Sequence, residues 1–313
     1  MMNHPFTDSK GLVVDIVRLN LLNEFAERGS ITEVARVTHQ TVSGVSQQLR
    51  RLEVEAGLPL TEKVGRGLVL TNAGRALANT ARQMAVAMAR AEAEWDAFRN
   101  TPTGPVTLAT FPTGGQMFLP GLLDRVEAAG GLTLHCSDRD PNSEGFPLLT
   151  ADFDIVLAHA MQLPQSSPSI IVVPVMVEPL DIALASTHRL ADRDYLVPND
   201  LIGERWIGNP WGYPFESWLN NIFATQGTPI NVVQRFADTR ISEALVAAGK
   251  GIAGLPRYTA AESYRGRIVL KPLRGGETHR HIFILMRPDR AERLAVRKVV
   301  HLILDEAQTI SDD

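Results

Sequence analysis

From Leu19 to Gly29 the apolar side chains Leu19, Leu22, Phe25 and Ala26 fall three and four residues apart, the spacing of one buried helix stripe that ends at a glycine. Ser30-Ile31-Thr32-Glu33 then has the form of a capping box, the Ser30 hydroxyl accepting from an orphan backbone N–H and the Glu33 carboxylate reaching back. A short second helix is predicted with Val34, Ala35 and Val37 turned inward. Thr38-His39-Gln40-Thr41 supplies a tight turn whose last residue can cap a third helix. In that helix Val45, Leu49 and Leu52 at i, i+4 and i+7 form the core face. The opposite face carries Ser43, Ser46, Gln47 and Arg50, with Arg51 beside it. These are hydroxyl, amide and guanidinium groups able to contact base edges and phosphates in a major groove. A solvated helix face accounts for that stripe equally well. The segment from Thr61 to Thr71 adds weight to the first reading, because it reads as a short hairpin with Gly65 and Gly67 flanking a projecting Arg66, the form of a wing.

Between Thr71 and Thr101 runs an alanine-rich stretch without proline in which Leu77, Ala81, Met84, Met88, Ala91, Trp95 and Phe98 alternate four- and three-residue steps. Such a heptad seam predicts a long helix with one stripe facing a partner helix, ahead of a helix packed along its own domain, and two joined chains would bring two reading helices to two half-sites. Pro102 and Gly104-Pro105 end the helix.

Past Pro105 short apolar runs alternate with helical stretches. Strands are predicted at Val106–Thr110, Leu132–His135, Asp154–Ala158, Asp181–Ala185, Trp206–Gly208, Ile252–Leu255 and His281–Met286. Helices are predicted at Met117–Ala128, Phe215–Ala224 and Ile241–Ala248. The last strand returns to the first lobe, so two lobes joined by two crossings imply a hinged cleft. The expected architecture is an α+β multidomain chain: a winged helix-turn-helix over 1–72, a linker helix over 73–103, and a two-lobed α/β domain over 104–313. Its first lobe takes 104–178 and 276–313, its second 179–275.

The 313 residues are enough for several cores, and the chain has no apolar run of about 18 residues able to span a bilayer. Nothing in Met1 to Asp15 resembles a secretion signal, so a cytoplasmic location is expected. Cys136 is the only cysteine, which excludes an intrachain disulfide and a multi-cysteine metal site; it is expected to be a small buried residue. The net charge of −4 argues against a nonspecific nucleic-acid coat, though not against one basic surface.

Residues 29–74, GSITEVARVTHQTVSGVSQQLRRLEVEAGLPLTEKVGRGLVLTNAG, are similar without a gap to the DNA-binding segment of the LysR-type transcriptional regulators. Gly29-Ser30, Ala35, Val45-Ser46, Leu49, Leu52-Glu53, Gly57, Leu60, Gly65-Arg66-Gly67 and Leu70-Thr71 stand where that family has them. Thr41-Val42-Ser43 replaces its common Ser-Gln-Pro, and Thr61 its usual Phe. Leu245 to Pro256, LVAAGKGIAGLP, is similar to a signature of the family's periplasmic-binding-protein-like sensor domain.

The resemblance implies a regulator that binds double-stranded DNA and a small-molecule effector, self-associates as a dimer or tetramer and acts on RNA polymerase, with no cofactor and no membrane. It assigns DNA contact to Ser30, Thr41, Ser43, Ser46, Gln47, Arg50, Arg51 and Arg66, and dimerisation to Leu77, Met84, Met88 and Trp95. Effector contact falls to Thr110, Thr113, Gly114 and Gln116 of the first lobe and to Asn209, Trp211 and Thr239 of the second. N–H groups at the helix start beside Thr113 suit a carboxylate, although Thr113 could equally be an ordinary helix cap. Asp138 and Asp140 could meet an amino group or simply be solvated.

Two rival readings are weaker. Gly249-x-Gly251-x-x-Gly254 satisfies the dinucleotide pattern, but it follows a helix and leads into a strand, the reverse of the order a pyrophosphate site needs. The eight histidines lack metal-ligand spacing, and no nucleophile motif is present, so an enzyme is not expected.

Overall fold

The structure, a computed structural model, describes residues 15–65, 67–98, 103–141, 145–211, 213, 216, 218–220, 223, 230–260, 264–275 and 279–312. It forms two compact units, Met1–Phe98 and Arg99–Asp313.

In the first unit, α1 (Ile16–Arg28) begins where the Asp15 carboxylate accepts from Val17 N–H and ends at Gly29. α2 (Ile31–Val37) is capped by Ser30, whose hydroxyl accepts from Glu33 N–H at 3.4 Å. The Glu33 carboxylate pairs with Arg36 instead of reaching back, so among the described contacts only the hydroxyl half of the box is made. α3 (Val42–Ala56) starts at Thr41, whose Oγ1 accepts from Gly44 N–H at 3.0 Å. The predicted faces meet in one core: Leu19, Leu22 and Phe25 of α1, Val34 and Ala35 of α2, and Val45, Leu49 and Leu52 of α3 are all buried together. Each of the buried Leu, Val and Phe side chains contributes about 1.5–3 kcal/mol of transfer free energy.

The wing is the antiparallel pair β1 (Thr61–Val64) and β2 (Gly67–Leu70). Arg66 at its tip lies outside the described residues. Glu53 fixes the wing to α3, since its Oε1 accepts from Leu60 N–H, Thr61 N–H and the Thr61 hydroxyl at 2.8–2.9 Å. Thr61, a departure from the family pattern, thus has a local use for its hydroxyl.

α4 (Asn72–Phe98) follows. The Thr71 hydroxyl donates to Pro59 O at 2.8 Å and accepts from Gly74 N–H at 3.0 Å, drawing the helix start onto the segment before the wing. The approach is so close that a Cβ on Gly74 would sit 2.0 Å from Leu60 O. Early in α4, Ala78 and Ala81 are buried, Leu77 packs against the same core and Arg82 pairs with Glu27 of α1. Farther along, Met84, Met88 and Trp95 are exposed, Trp95 to 63%; the Phe98 side chain lies outside the described residues.

The second unit opens with β3 (Gly104–Thr110), α5 (Pro112–Ala129), β4 (Leu132–Asp138), α6 (Phe146–Leu149) and β5 (Ile155–Ala160). β6 (Ile171–Ala185), β7 (Arg205–Gly208), β8 (Asn231–Arg235), α7 (Thr239–Ala247), β9 (Ala253–Pro256) and β10 (Ile268–Pro272) follow. The unit closes with β11 (His279–Met286), α8 (Pro288–Glu292) and α9 (Leu294–Asp312). Strand order is β10-β6-β11-β5-β3-β4 with β9 also on β6, while β7 and β8 form a separate parallel pair. β3 runs parallel to β4 and β5, and β11 antiparallel to β5 and β6.

One core gathers β3, β5, β11, α5 and α9; others lie around β7 and Trp206 and beneath α7. β6 serves both sides. Its residues Ile171 to Pro179 pair with β11, whereas Leu180 to Ala185 pair with β9 and β10. The strand is therefore not confined to Asp181–Ala185. Pro174 and Pro179 interrupt the apolar pattern of its first part and conceal it in the sequence.

Other elements also differ from expectation. α5 begins at Pro112 rather than Met117, because proline at the first helical position leaves no N–H to satisfy. α6, β8, β10, α8 and α9 have no counterpart among the elements the sequence predicts. The helix expected over Phe215–Ala224 falls partly outside the described residues, although Glu216, Trp218 to Asn220 and Phe223 are helical. Two glycines of the dinucleotide-like pattern have packing reasons, since a Cβ on Gly251 would meet Arg205 O at 2.6 Å and one on Gly254 the Trp218 ring at 2.4 Å, whereas Gly249 takes a positive φ of 67°.

Candidate functional site

Two surfaces carry the chemistry. In the first unit, Thr41, Ser43, Gln47, Arg50 and Arg51 lie exposed along the start and outer face of α3, with Ser46 half-buried among them. Thr41 Oγ1 lies 3.2 Å from Ser43 Oγ, and its bond to Gly44 N–H makes it the helix cap as well. Ser30 is half-buried and occupied as the cap of α2. Val42, between the two hydroxyl residues, is exposed at 47%, an apolar group on an otherwise polar face.

In the second unit a cleft of about 840 Å³ opens between the two lobes. Thr110, Thr113 and Gln116 line it from one side and Asn209 and Thr239 from the other, so five of the seven expected effector residues come together. Gly114 packs against the Phe111 ring and does not border the cleft. Trp211 also lies off it, 72% exposed, with the Arg235 guanidinium 4.0 Å from its ring centroid and bonded to Asn209 O at 2.7 Å.

Thr113 is not the helix cap. Phe111 holds that place without a side-chain bond, and the Thr113 hydroxyl accepts from Arg280 Nη2 at 2.9 Å. Arg280 is the residue that sequence reasoning missed. Only 2% exposed, it reaches the cleft wall from β11 with its guanidinium 4.9 Å from the Phe111 ring centroid. Behind it lies Glu178, fully buried, its Oε2 accepting from Nε at 2.7 Å and lying 2.6 Å from Nη2 in the ion pair. An arginine between two histidines at the head of an apolar strand was the available signal, since a guanidinium entering a sheet core needs a carboxylate opposite it.

Other titratable groups border the same space. Burial pushes the His159 imidazole below its ordinary 6.5, against the opposing pull of Asp140, whose Oδ1 lies 3.5 Å from Nε2; His159 packs beside Phe111 and Phe146. Asp138 and Asp140 line the cleft, as does Asp238, which the Arg240 guanidinium holds below the usual carboxylate range. Asp238 also caps α7, accepting from Arg240 N–H at 2.9 Å. Cys136 is exposed on the cleft wall rather than buried as expected, because the edge strand β4 turns it outward; partial burial still raises its thiol pKa. Among the described residues no group of three or more His, Cys, Asp or Glu is placed to hold a metal ion. No helix among them is long and apolar enough to cross a membrane.

Both units match known protein families. The family model described as "Bacterial regulatory helix-turn-helix protein, lysR family" matches residues 16–75, and "LysR substrate binding domain" matches residues 99–308. The DNA-binding transcriptional dual regulator OxyR of Escherichia coli K12 is 26% identical over 289 residues, covering 90% of this chain and 94% of that protein. The HTH-type transcriptional regulator CbbR of Rhodospirillum rubrum is 27% identical over 272 residues, covering 86% and 89%. In fold, a full-length OxyR variant from Pseudomonas aeruginosa superposes with TM-score 0.69 at 16% identity over 95% of each chain. CbnR complexed with its target DNA superposes with TM-score 0.54 at 21% identity, over 94% of this chain and 100% of that one. A capped helix with a polar outer face and a two-lobed domain with a charged cleft are the two parts of one such regulator, and the chain belongs to the LysR family of DNA-binding transcriptional regulators with an effector-binding domain.

Proposed function

We propose that this regulator works in the cytoplasm as a dimer or a pair of dimers joined through α4, and answers a small carboxylate-bearing effector held in the cleft. The observation that carries the effector reading is convergence. Thr110 at the end of β3 and Thr113 and Gln116 in the first turns of α5 face Asn209 and Thr239 across the cleft, and the first turn of an 18-residue helix favours an anion. DNA contact falls to Ser30, Thr41, Ser43, Ser46, Gln47, Arg50, Arg51 and Arg66. Half-site reading by two joined chains multiplies affinity through effective concentration. The exposed Met84, Met88 and Trp95 supply the apolar stripe for that joining. An occupied cleft then changes the angle between the lobes, and through the assembly the way the heads engage DNA and RNA polymerase.

A thermal-shift screen of small carboxylic acids on the full chain tests the effector, since a ligand bound only by the folded state raises the melting temperature. The expected hit loses its shift in Thr239→Val; a panel that moves nothing removes the carboxylate reading. Gel shifts with fragments upstream of the gene test the head. Saturable, sequence-dependent binding that Arg50→Ala weakens is expected, and binding indifferent to sequence would overturn it.

A further inference from the structure

The two strands that cross between the lobes lie side by side where Arg280 stands directly opposite Glu178. Glu178 lies two residues before β6 exchanges β11 for β9 as its partner, and Arg280 is the second residue of the returning strand. Both side chains are buried, and each reaches into a different lobe. Arg280 donates to Thr113 Oγ1 of α5 at 2.9 Å, in the lobe built on β3 and β5. Glu178 Oε1 accepts from the backbone N–H of Tyr258 at 3.3 Å, immediately past β9 in the other lobe.

We propose that Thr113, Arg280, Glu178 and Tyr258 form an interlobe tie at the crossing, with Arg280 and Glu178 as positioning residues that hold the cleft at its present opening. A buried arginine–carboxylate pair has few arrangements, so it keeps the lobes at a fixed angle as long as both outer bonds are made. Thr113 and Arg280 are where the tie meets the cleft. An acid group arriving at the first turn of α5 competes for the Arg280 Nη2 bond and releases one end. That last step rests on the effector reading above; the tie itself does not.

The single cysteine is a native reporter, because Cys136 is exposed and lies on the cleft wall. The experiment follows its reaction rate with Ellman's reagent in the full-length protein without ligand, for the parent, Thr113→Val and Glu178→Gln. Arg125→Ala, which breaks an ion pair with Glu306 in the same lobe away from the crossing, is the control. A several-fold faster reaction in Thr113→Val and Glu178→Gln, with the control at the parent rate, is the expected result. Should Glu178→Gln fail to fold, Thr113→Val decides, since it keeps the side-chain shape and removes only the hydroxyl. An unchanged rate in folded Thr113→Val, or an equal rise in Arg125→Ala, overturns the tie. Because no ligand is added, failure of the effector screen leaves this result standing, and the reverse holds as well.

Discussion

The DNA-binding head and the sensor domain reach stability by different routes. In the head, each capping contact joins residues close in sequence: Ser30 to Glu33, Thr41 to Gly44, Thr71 to Gly74, and Glu53 to Leu60 and Thr61. In the sensor domain the decisive polar contacts span the chain, Thr113 to Arg280, Glu178 to Arg280, and Asp154 to Thr107, Arg290 and Arg293. Local contacts repeat in sequence as motifs with fixed spacing. Long-range ones leave only isolated charged residues in apolar surroundings, with no spacing to reveal the partner.

The sharpest way to break this contrast is at Asp154. Its buried carboxylate accepts from Thr107 N–H, the Thr107 hydroxyl, Arg290 and Arg293. Asp154→Ala is expected to destabilise the sensor domain by about 3–5 kcal/mol in urea unfolding. A loss under about 1 kcal/mol would mean that the long-range contacts are not what holds this unit. Next comes Gly74→Ala, where the new Cβ meets a backbone oxygen rather than a flexible side chain; about 2–3 kcal/mol should go from the head, read as an early transition separate from that of the sensor. Glu53→Ala removes three bonds to the wing and should cost about 2 kcal/mol, with reduced DNA affinity following from a loosened wing.

Acid should act on the sensor domain through His159. Burial lowers its pKa in the folded state, so below its ordinary 6.5 the unfolded chain takes up a proton that the folded chain resists. Stability contributed by the neutral ring is complete above that value and declines as the pH falls below it. Melting curves of His159→Gln should decline less over that range than those of the parent; parallel curves would remove His159 as the cause. The smallest effect on stability belongs to Arg50→Ala. Exposed on α3, it should leave melting unchanged within about 0.5 kcal/mol and reduce the salt dependence of DNA binding by about one phosphate contact.

The head and the family were legible in the sequence because the stripes of the first three helices and the Ser30 and Thr41 caps are each written within a few residues, and the structure gives each a contact. Periodicity also revealed most strands of the sensor domain. It lost the first part of β6, where prolines break the apolar alternation, and it missed α8 and α9 at the end of the chain. What only the tertiary structure decided was the make-up of the cleft. Gly114 and Trp211 dropped off its wall, Cys136 came out onto it, and Arg280 entered with Glu178 behind it. The reason is physical: a strand's pattern tells which residues share a face, but a cleft is assembled where separate strand ends meet. The partner of a buried charge is fixed by sheet register, Arg280 against Glu178, which no local spacing encodes.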